Sequence, residues 1–379
     1  MTGRFSQQET AANTELLQFL FLIFIGRQFE TYYDERVSKS GKSAPVPAGC
    51  PVPDRAGALL TVQINKAVSP MSISLKASKI LLKTADKTGI LVPRIDDLEK
   101  EFARAEKYNK KHRFTIPKDR KAHYREVRIA GFPCLLIRPR LMKVNKRKAI
   151  LYLHGGIKNE WKPELKTARN IGRKTGVDVW YSVYPSITEV PITRTIDVIY
   201  RTFRKMAKIY GGENIAVIGG SMGAFFAFQI VNRNNRHKNP AAMPGLLIAH
   251  SPGGVPASEK DWNIMRSYSE KDSLVSLQSI EQLKDMTASF GEAIPDHALS
   301  PVYEDFHNAP ETYVFYGEET CAGNAPAYTK AYKRDGSSEK MHMHIEPDGI
   351  HCYALMQVFP ESRRDYNKQI QILQDFLSV

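Results

Sequence analysis

The sequence predicts an α/β fold in which a mostly parallel central sheet is covered by helices on both faces. Apolar segments of strand length alternate with longer helical segments from about residue 149 to the C-terminus, and this alternation is typical of parallel sheets with crossover helices. A glycine-rich turn, Gly219 to Gly223, stands between one such strand and the next helix. Polar residues and glycines directly follow several predicted strands, where open parallel sheets form their ligand sites.

The length and composition are those of a globular protein with ample core material. The chain has 379 residues, of which 42% are hydrophobic and 10% aromatic, and these shares are ordinary for a folded protein. The length exceeds that of a typical single domain, but one large α/β domain with a cap reaches it. We therefore expect a helical cap or lead-in segment over residues 1–122. The α/β domain should then span residues 123–379, with a helical insertion at about 259–297.

The elements of the α/β domain follow from apolar runs and turn residues. Residues 124–139 are predicted to form two strands around an Ala130-Gly131 turn. Ala149 to Leu153 is a short, continuous apolar run, as expected of a buried strand. Further strands are predicted at 177–184, 215–218, 246–249, 312–316 and 340–345. Helices are predicted at 96–108, 163–174, 192–208, after the glycine-rich turn to 232, within the insertion at about 262–290, at 327–334 and at 363–377.

The charge balance is strongly basic. The net charge is +14, from 54 Lys and Arg residues against 40 Asp and Glu residues. Basic clusters at Lys110 to Arg113, Lys118 to Lys121 and Lys146 to Lys148 are of a kind that attracts acidic partners. No zinc-finger spacing or RNA-binding signature accompanies them, so we interpret them as solvated faces and expect no nucleic-acid partner.

The cysteines indicate a reducing compartment. Cys50, Cys134, Cys321 and Cys352 are scattered without the pair spacing of a disulfide framework. A cytoplasmic location is therefore expected. The sequence does not specify an oligomeric state.

The most hydrophobic run of the chain is Phe19 to Ile25. It is far shorter than a bilayer requires, and it lacks the basic cluster and small-residue cleavage site of a signal peptide. Two interpretations stay open. The run is either a buried or cap helix, or a segment that makes weak contact with a membrane, lipid or apolar substrate.

The glycine-rich turn places a serine at its apex. A strand-turn-helix of the form Gly-x-Ser-x-Gly forces Ser221 into a strained backbone conformation, which needs small neighbours at Gly219 and Gly223. The amide of Met222 would open the next helix, where its N–H has no intrahelical acceptor and is available to a developing oxyanion. The alternative interpretation is a glycine-rich turn with a bystander serine.

Another predicted strand, Ala149 to Leu153, ends at His154-Gly155-Gly156. Glycines at a strand end let backbone N–H groups approach a bound oxygen closely. We therefore expect the amides of Gly155 and Gly156 to form the second half of an oxyanion hole.

A serine hydroxyl needs a nearby base, and the base needs a carboxylate that orients it. His351 follows the last predicted strand, and Glu318 and Glu319 follow the strand before it. The resulting chain order of nucleophile, acid and histidine is the order expected when these groups lie on successive strand ends.

These segments resemble the α/β-hydrolases, and within them the hormone-sensitive-lipase-like esterase branch. The resemblance rests on Leu151 to Gly156, on the elbow from Gly219 to Gly223, on Tyr184-Pro185 and on Leu299 to Asp305. It covers roughly residue 124 to the C-terminus. Ile157 stands where the family usually has a third glycine, and the elbow has Gly and Met where this branch typically has Asp and Ala.

The resemblance implies a carboxylic-ester hydrolase that acts on small or medium acyl chains through an acyl-enzyme. Ser221 would be the nucleophile, His351 the base and Glu319 the acid, with Glu318 as the alternative acid. Glu319 is preferred because it precedes Asn324 by five residues, a spacing similar to that of family acids. The expected partner is a small-molecule ester, and no metal or organic cofactor is required. The alternatives are an amidase or peptidase with the same triad, and a non-catalytic ligand-binding protein on a hydrolase scaffold.

His342 and His344 lie two apart on the last predicted strand and should face the same side. Two histidines can ligate a metal, but no carboxylate or cysteine is placed in the sequence to complete a set. We therefore expect a structural pair and no metal site.

Overall fold

A computed structural model of the protein describes residues 98–140, 144–157, 161–272, 274–288, 290–291 and 293–378. The apolar segment Phe19 to Ile25 and most of the predicted cap lie outside the described residues. No helix within the described part of the chain is long and apolar enough to cross a membrane.

Within that part the strands form one eight-stranded sheet in the order β1-β2-β4-β3-β5-β6-β7-β8. Strands β3 to β8 pair with their neighbours in parallel, whereas β2 pairs antiparallel with both β1 and β4. The predicted, mostly parallel sheet is confirmed. The strands are β1 (Ala122–Ile129), β2 (Phe132–Pro139), β3 (Asn145–Leu153), β4 (Val177–Ser182), β5 (Ile215–Gly220), β6 (Leu246–His250), β7 (Glu311–Gly317) and β8 (Met341–Glu346).

The first two strands are joined by the predicted two-residue turn. Ala130 and Gly131 have φ values of 52° and 91°, and Ile129 pairs directly with Phe132. Two consecutive positive φ values are typical of a type I′ turn, whose twist matches that of the flanking strands.

Helices cover both faces of the sheet. They are α1 (Leu98–Lys111), α2 (Trp161–Thr175), α3 (Ile192–Tyr210), α4 (Met222–Asn235), α5 (Glu259–Ser269), α6 (Leu277–Ala288), α7 (Asp296–Leu299), α8 (Ala325–Arg334), α9 (Tyr353–Met356) and α10 (Pro360–Ser378). Short 3₁₀ helices lie at Gly212–Asn214, Pro301–Tyr303, Thr320–Asn324 and Ser338–Lys340.

Alternate side chains of each strand enter different cores. On β3, Leu151 and Leu153 belong to the core that contains the phenylalanines of α4. Ile150 and Tyr152 belong to the opposite core, which contains apolar residues of α2 and α10. All four are fully buried, which explains why the strand is a continuous apolar run with no polar alternation.

The segment between β6 and β7, predicted as a helical insertion, is tied to the loop that follows β7. The Asp272 carboxylate accepts the N–H of Thr320 at 2.9 Å and those of Leu274 and Val275 at 2.8 and 3.2 Å. Gly323 packs against the α5 backbone so closely that an added Cβ would lie 2.3 Å from Met265 Cα. The insertion is therefore packed against the loop at residues 320–324.

We expect Asp272→Ala to destabilise the protein by about 2–4 kcal/mol, because it leaves several backbone N–H groups without their charged acceptor. Asp272 is only 6% exposed, so solvent replaces these hydrogen bonds poorly. Urea unfolding monitored by circular dichroism measures the change. Asp285→Ala, which removes an exposed acid from α6, is the matched control. A loss below about 1 kcal/mol would show that Asp272 does not hold this loop.

Candidate active site

Ser221 occupies a strained turn between β5 and α4. Its φ is 51° and its ψ is −119°, a region that a residue with a side chain rarely adopts. An added Cβ on Gly219 would lie 2.3 Å from Gly223 O, and one on Gly223 would lie 2.1 Å from Leu153 O. Larger residues are therefore excluded at both glycines. The Ser221 N–H donates to His250 O at 2.8 Å, which joins the turn to the end of β6.

His351 lies between the serine and a buried carboxylate. Its Nε2 is 2.9 Å from Ser221 Oγ, and its Nδ1 is 3.1 Å from Glu319 Oε2. Glu319 is fully buried, and the same oxygen accepts the N–H of Cys321 at 2.8 Å. Three residues that are distant in sequence thus form one hydrogen-bonded chain at the carboxyl ends of β5, β7 and β8.

The environment of His351 favours its protonated form. Burial alone would lower the pKa of His351, but the facing side chains of Cys352 and Glu319 outweigh burial and hold this pKa well above its ordinary value. A carboxylate at hydrogen-bond distance stabilises the imidazolium in this way. The geometry is therefore suited to a histidine that accepts a proton from Ser221.

Glu318 points away from His351. Its Oε1 is 2.5 Å from Lys271 Nζ, and its Oε2 accepts the Asp348 N–H at 3.2 Å. Successive side chains of an extended segment point to opposite sides, and Glu319 has extended dihedral angles. The two neighbouring glutamates therefore face different surroundings, with Glu319 beside the histidine and Glu318 in a partly exposed ion pair.

In the loop after β3, the amide of Gly155 has a side-chain acceptor. We define the post-β3 loop as residues 154–157. The Gly155 N–H donates to Glu164 Oε1 at 2.7 Å, so this predicted oxyanion donor already has an acceptor in the structure. The prediction from sequence missed Glu164 because only the packing of α2 brings it beside the loop. The available signal was an acidic residue in the first turn of a predicted helix.

His154 lies beside the serine turn, since an added Cβ on Gly223 would lie 2.5 Å from His154 O. His154 stacks on Tyr184, with ring centroids 4.2 Å apart and planes inclined by 1°, and the Tyr184 hydroxyl donates to His154 O. Gly156 has a φ of 75°, and no described atom lies within 4 Å of the position that its Cβ would take. Among the described residues, therefore, none fills the space beside Gly156.

Two groups among the described residues bring three candidate ligand atoms within 4.8 Å of one another. One is Glu319, Cys321 and His351, and the other is His344, Glu346 and Asp365. The second group supplies carboxylates that the sequence did not place beside His344, because Asp365 comes from the distant helix α10. Arg364 forms ion pairs with Glu346 at 2.5 Å and with Asp365 at 2.7 Å. These contacts make the second group an ion-pair network at the end of the sheet.

Residues 150–355, more than half of the chain, match the sequence model of a protein family described as alpha/beta hydrolase fold. The chain belongs to this family. The predicted α/β-hydrolase fold is therefore confirmed, and the matched range includes Ser221, Glu319 and His351. A comparison of the hydrolase sequence with curated proteins found no match.

Solved structures share the fold of this hydrolase at low sequence identity. A crystal structure of EstE5 soaked with ethyl alcohol covers 81% of this chain and 99% of its own, with 16% identity and a TM-score of 0.63. An esterase/lipase from an uncultured bacterium gives the same coverage and TM-score at 17% identity. An esterase of the bacterial hormone-sensitive lipase family covers 74% of this chain and 98% of its own, with 19% identity and a TM-score of 0.59.

Proposed function

We propose that this hydrolase cleaves carboxylic esters through an acyl-enzyme intermediate, with Ser221 as nucleophile, His351 as general base and acid, and Glu319 as the carboxylate that orients the histidine. The observation that supports this most directly is the position of His351, which lies within hydrogen-bond distance of both Ser221 Oγ and Glu319 Oε2. Membership of the hydrolase family and the fold shared with solved esterases support it further.

In the acylation step, Ser221 Oγ attacks the ester carbonyl carbon while His351 Nε2 takes the hydroxyl proton. The carbonyl oxygen becomes an oxyanion. We assign the amides of Gly156 and Met222 as its donors, because the Gly155 amide donates to Glu164 and Met222 opens α4. Donors fixed in advance stabilise the developing charge without reorganisation.

Collapse of the tetrahedral intermediate breaks the ester C–O bond. The imidazolium of His351 gives its proton to the leaving alkoxide oxygen, and the acyl group stays on Ser221. A water molecule then attacks the acyl carbon, and His351 takes its proton. The second collapse returns that proton to Ser221 Oγ and releases the carboxylic acid, so the enzyme is regenerated.

The substrate range is proposed to be small or medium acyl chains. Another EstE5 crystal, which matches this chain with a TM-score of 0.62, was soaked with p-nitrophenyl butyrate, so short p-nitrophenyl esters are reasonable probes.

We propose that residues 123–379 form the catalytic domain and that the insertion at about 259–297 roofs the site. A cytoplasmic location is supported by the free thiols of Cys134, Cys321 and Cys352.

A substrate panel tests the proposed function. Purified protein is assayed on p-nitrophenyl acetate, butyrate and octanoate and, in parallel, on aminoacyl p-nitroanilides. A fluorophosphonate probe, followed by mass spectrometry, reports the labelled residue. Ester hydrolysis with labelling of Ser221 is the expected result. Faster anilide than ester turnover would favour an amidase or peptidase, and an unlabelled, inactive protein would favour a ligand-binding role.

A further inference from the structure

Glu164 is a carboxylate beside the active site that the proposed mechanism does not use. It lies in the first turn of α2, where the partial positive charge of the helix N-terminus favours an acidic side chain. Its Oε1 accepts the Gly155 N–H at 2.7 Å, and its Oε2 accepts the Tyr152 hydroxyl at 3.2 Å. Oε1 therefore anchors the post-β3 loop, and Oε2 is bound by the side chain of Tyr152 on β3.

Gly155 is enclosed between Glu164 and the serine turn. An added Cβ on Gly155 would lie 2.9 Å from Gly220 O, 3.2 Å from Glu164 Oε1 and 3.3 Å from Ser221 Cβ. Gly155 therefore has no room for a side chain between Glu164 and the serine turn. A displacement of Gly155 would therefore change the position of the loop relative to the nucleophile.

The remaining anchors of the post-β3 loop hold its carbonyl groups. The Ser186 hydroxyl donates to Ile157 O at 2.6 Å, and Asn109 Nδ2 lies 3.4 Å from the same oxygen. The Tyr184 hydroxyl donates to His154 O. The Gly155 amide lies between these anchored carbonyls, and Glu164 accepts its N–H. An ionised acceptor makes a stronger hydrogen bond than a neutral one.

We propose that Glu164 is a positioning residue that holds the Gly155 amide away from the reacting oxygen and thereby places the Gly156 amide at the oxyanion position. Gly155 then acts as the fixed point of the loop, and Gly156, whose Cβ position has no described atom within 4 Å, is the residue that meets substrate. This inference rests on the proposed ester hydrolysis, and it concerns how that site is assembled.

The same contacts give Glu164 an unusual titration. Burial raises the pKa of Glu164 to about 7, against the opposing hydrogen bonds from Gly155 and Tyr152. The titratable groups that face it are Tyr152, Tyr181 and Tyr184, and the pKa of each lies well above its ordinary value because of burial. These tyrosines stay neutral near pH 7, so the charge that changes there is that of Glu164.

The direction of the pH effect follows from the hydrogen bond to Gly155. As the pH falls through about 7, Glu164 takes up a proton and becomes a weaker acceptor for this amide. The raised pKa of His351 produces a separate acid limb, because a protonated imidazole cannot act as a base. A protonated Glu164 keeps a carbonyl acceptor for the Gly155 N–H, as Gln does, so its protonation should weaken the anchor without removing it.

The decisive variants are Glu164→Ala and Glu164→Gln. We expect Glu164→Ala to lower kcat about 10- to 100-fold with little change in KM, because loss of the loop anchor misplaces an oxyanion donor that matters most in the transition state. The inhibition constant of an alkylboronic acid, which forms a tetrahedral adduct with the serine, should rise by the same factor. Glu164→Gln keeps an acceptor for Gly155 and should restore most of kcat.

Two controls separate this inference from the function on which it rests. The proposed function itself requires that the wild type hydrolyses p-nitrophenyl butyrate and that Ser221→Ala does not. If either result fails, the proposed function fails. Asp285→Ala, which removes an exposed acid from α6, is the matched carboxylate control, and its kcat should stay within about threefold of wild type.

Glu164→Asp decides the outcome if Glu164→Ala does not fold. Aspartate keeps the charge but is one methylene shorter, so it withdraws the acceptor from the Gly155 N–H and should lower kcat and boronic-acid affinity together, with little change in KM. Unchanged kcat and boronic-acid affinity in Glu164→Ala would overturn the inference. A change in KM alone, or a Glu164→Gln variant as impaired in kcat as Glu164→Ala, would overturn it as well.

Discussion

Replacing Ser221 with Ala is expected to lower kcat for p-nitrophenyl butyrate by about 10⁴-fold or more, because the reaction loses the atom that forms the acyl-enzyme. The change removes only Oγ, whose contact is His351 Nε2 at 2.9 Å. Alanine fits the same turn, since the positive φ of 51° strains alanine and serine alike. The fold should therefore be retained while activity is lost.

Initial-rate assays with intact-protein mass spectrometry measure both parts of this prediction. Wild type should gain one fluorophosphonate adduct and Ser221→Ala none. Ser267→Ala, which removes an exposed hydroxyl from α5, is the matched control and should keep both activity and labelling. Residual turnover above about 1% in Ser221→Ala would mean that another group starts the reaction, since loss of a nucleophile costs far more.

The serine turn was predictable because its chemistry is local. The run from β5 through Ser221 to α4 is contiguous in sequence, and Gly219 and Gly223 are required by contacts within or beside that turn. The turn between β1 and β2 was predictable for the same reason, since Ala130 and Gly131 suffice to determine it. Local steric requirements are visible in a sequence without knowledge of packing.

The partner of His351 was harder to predict because two glutamates are adjacent. Glu318 and Glu319 have the same side-chain chemistry, and a shift of one residue exchanges the side of the chain on which each lies. The sequence favoured Glu319 from spacing alone. The structure adds the contacts that distinguish the two glutamates. Glu318 forms an ion pair with Lys271, and Glu319 accepts the N–H of Cys321.

Residues that act on backbone amides were missed altogether. Glu164 and Asp272 are single acidic residues with no motif around them, and each is recognised only by the N–H groups that it accepts. These N–H groups belong to Gly155 in one case and Thr320 in the other. Their positions depend on how α2 and the insertion pack against the sheet, which periodicity does not specify. For this reason nothing in the sequence indicated that the Gly155 amide donates to Glu164.

A matched pair of substitutions at the two glutamates is the second decisive test. Glu319→Gln should lower kcat by about 10²–10⁴-fold, because a neutral amide no longer stabilises the imidazolium and can donate to Nδ1, which favours the wrong tautomer of His351. Glu318→Gln should stay within about threefold of wild type. It weakens a partly exposed ion pair with Lys271, and such pairs contribute about 0–1 kcal/mol, while the Gln amide oxygen can still accept the Asp348 N–H.

The pH dependence gives the same test a second, independent readout. His351 must be neutral to accept the serine proton, so activity falls when the pH drops below the pKa of His351. Burial lowers this pKa, whereas Cys352 and Glu319 raise it. Removing the Glu319 charge should therefore shift the acid limb of kcat/KM to lower pH, and Glu318→Gln should leave that limb in place.

If Glu318→Gln instead shows the larger loss of kcat or the larger shift of the acid limb, then Glu318 and not Glu319 orients His351. The combination of a lower kcat and a more acidic limb in Glu319→Gln is what distinguishes a carboxylate that acts on the histidine from one that only stabilises the loop.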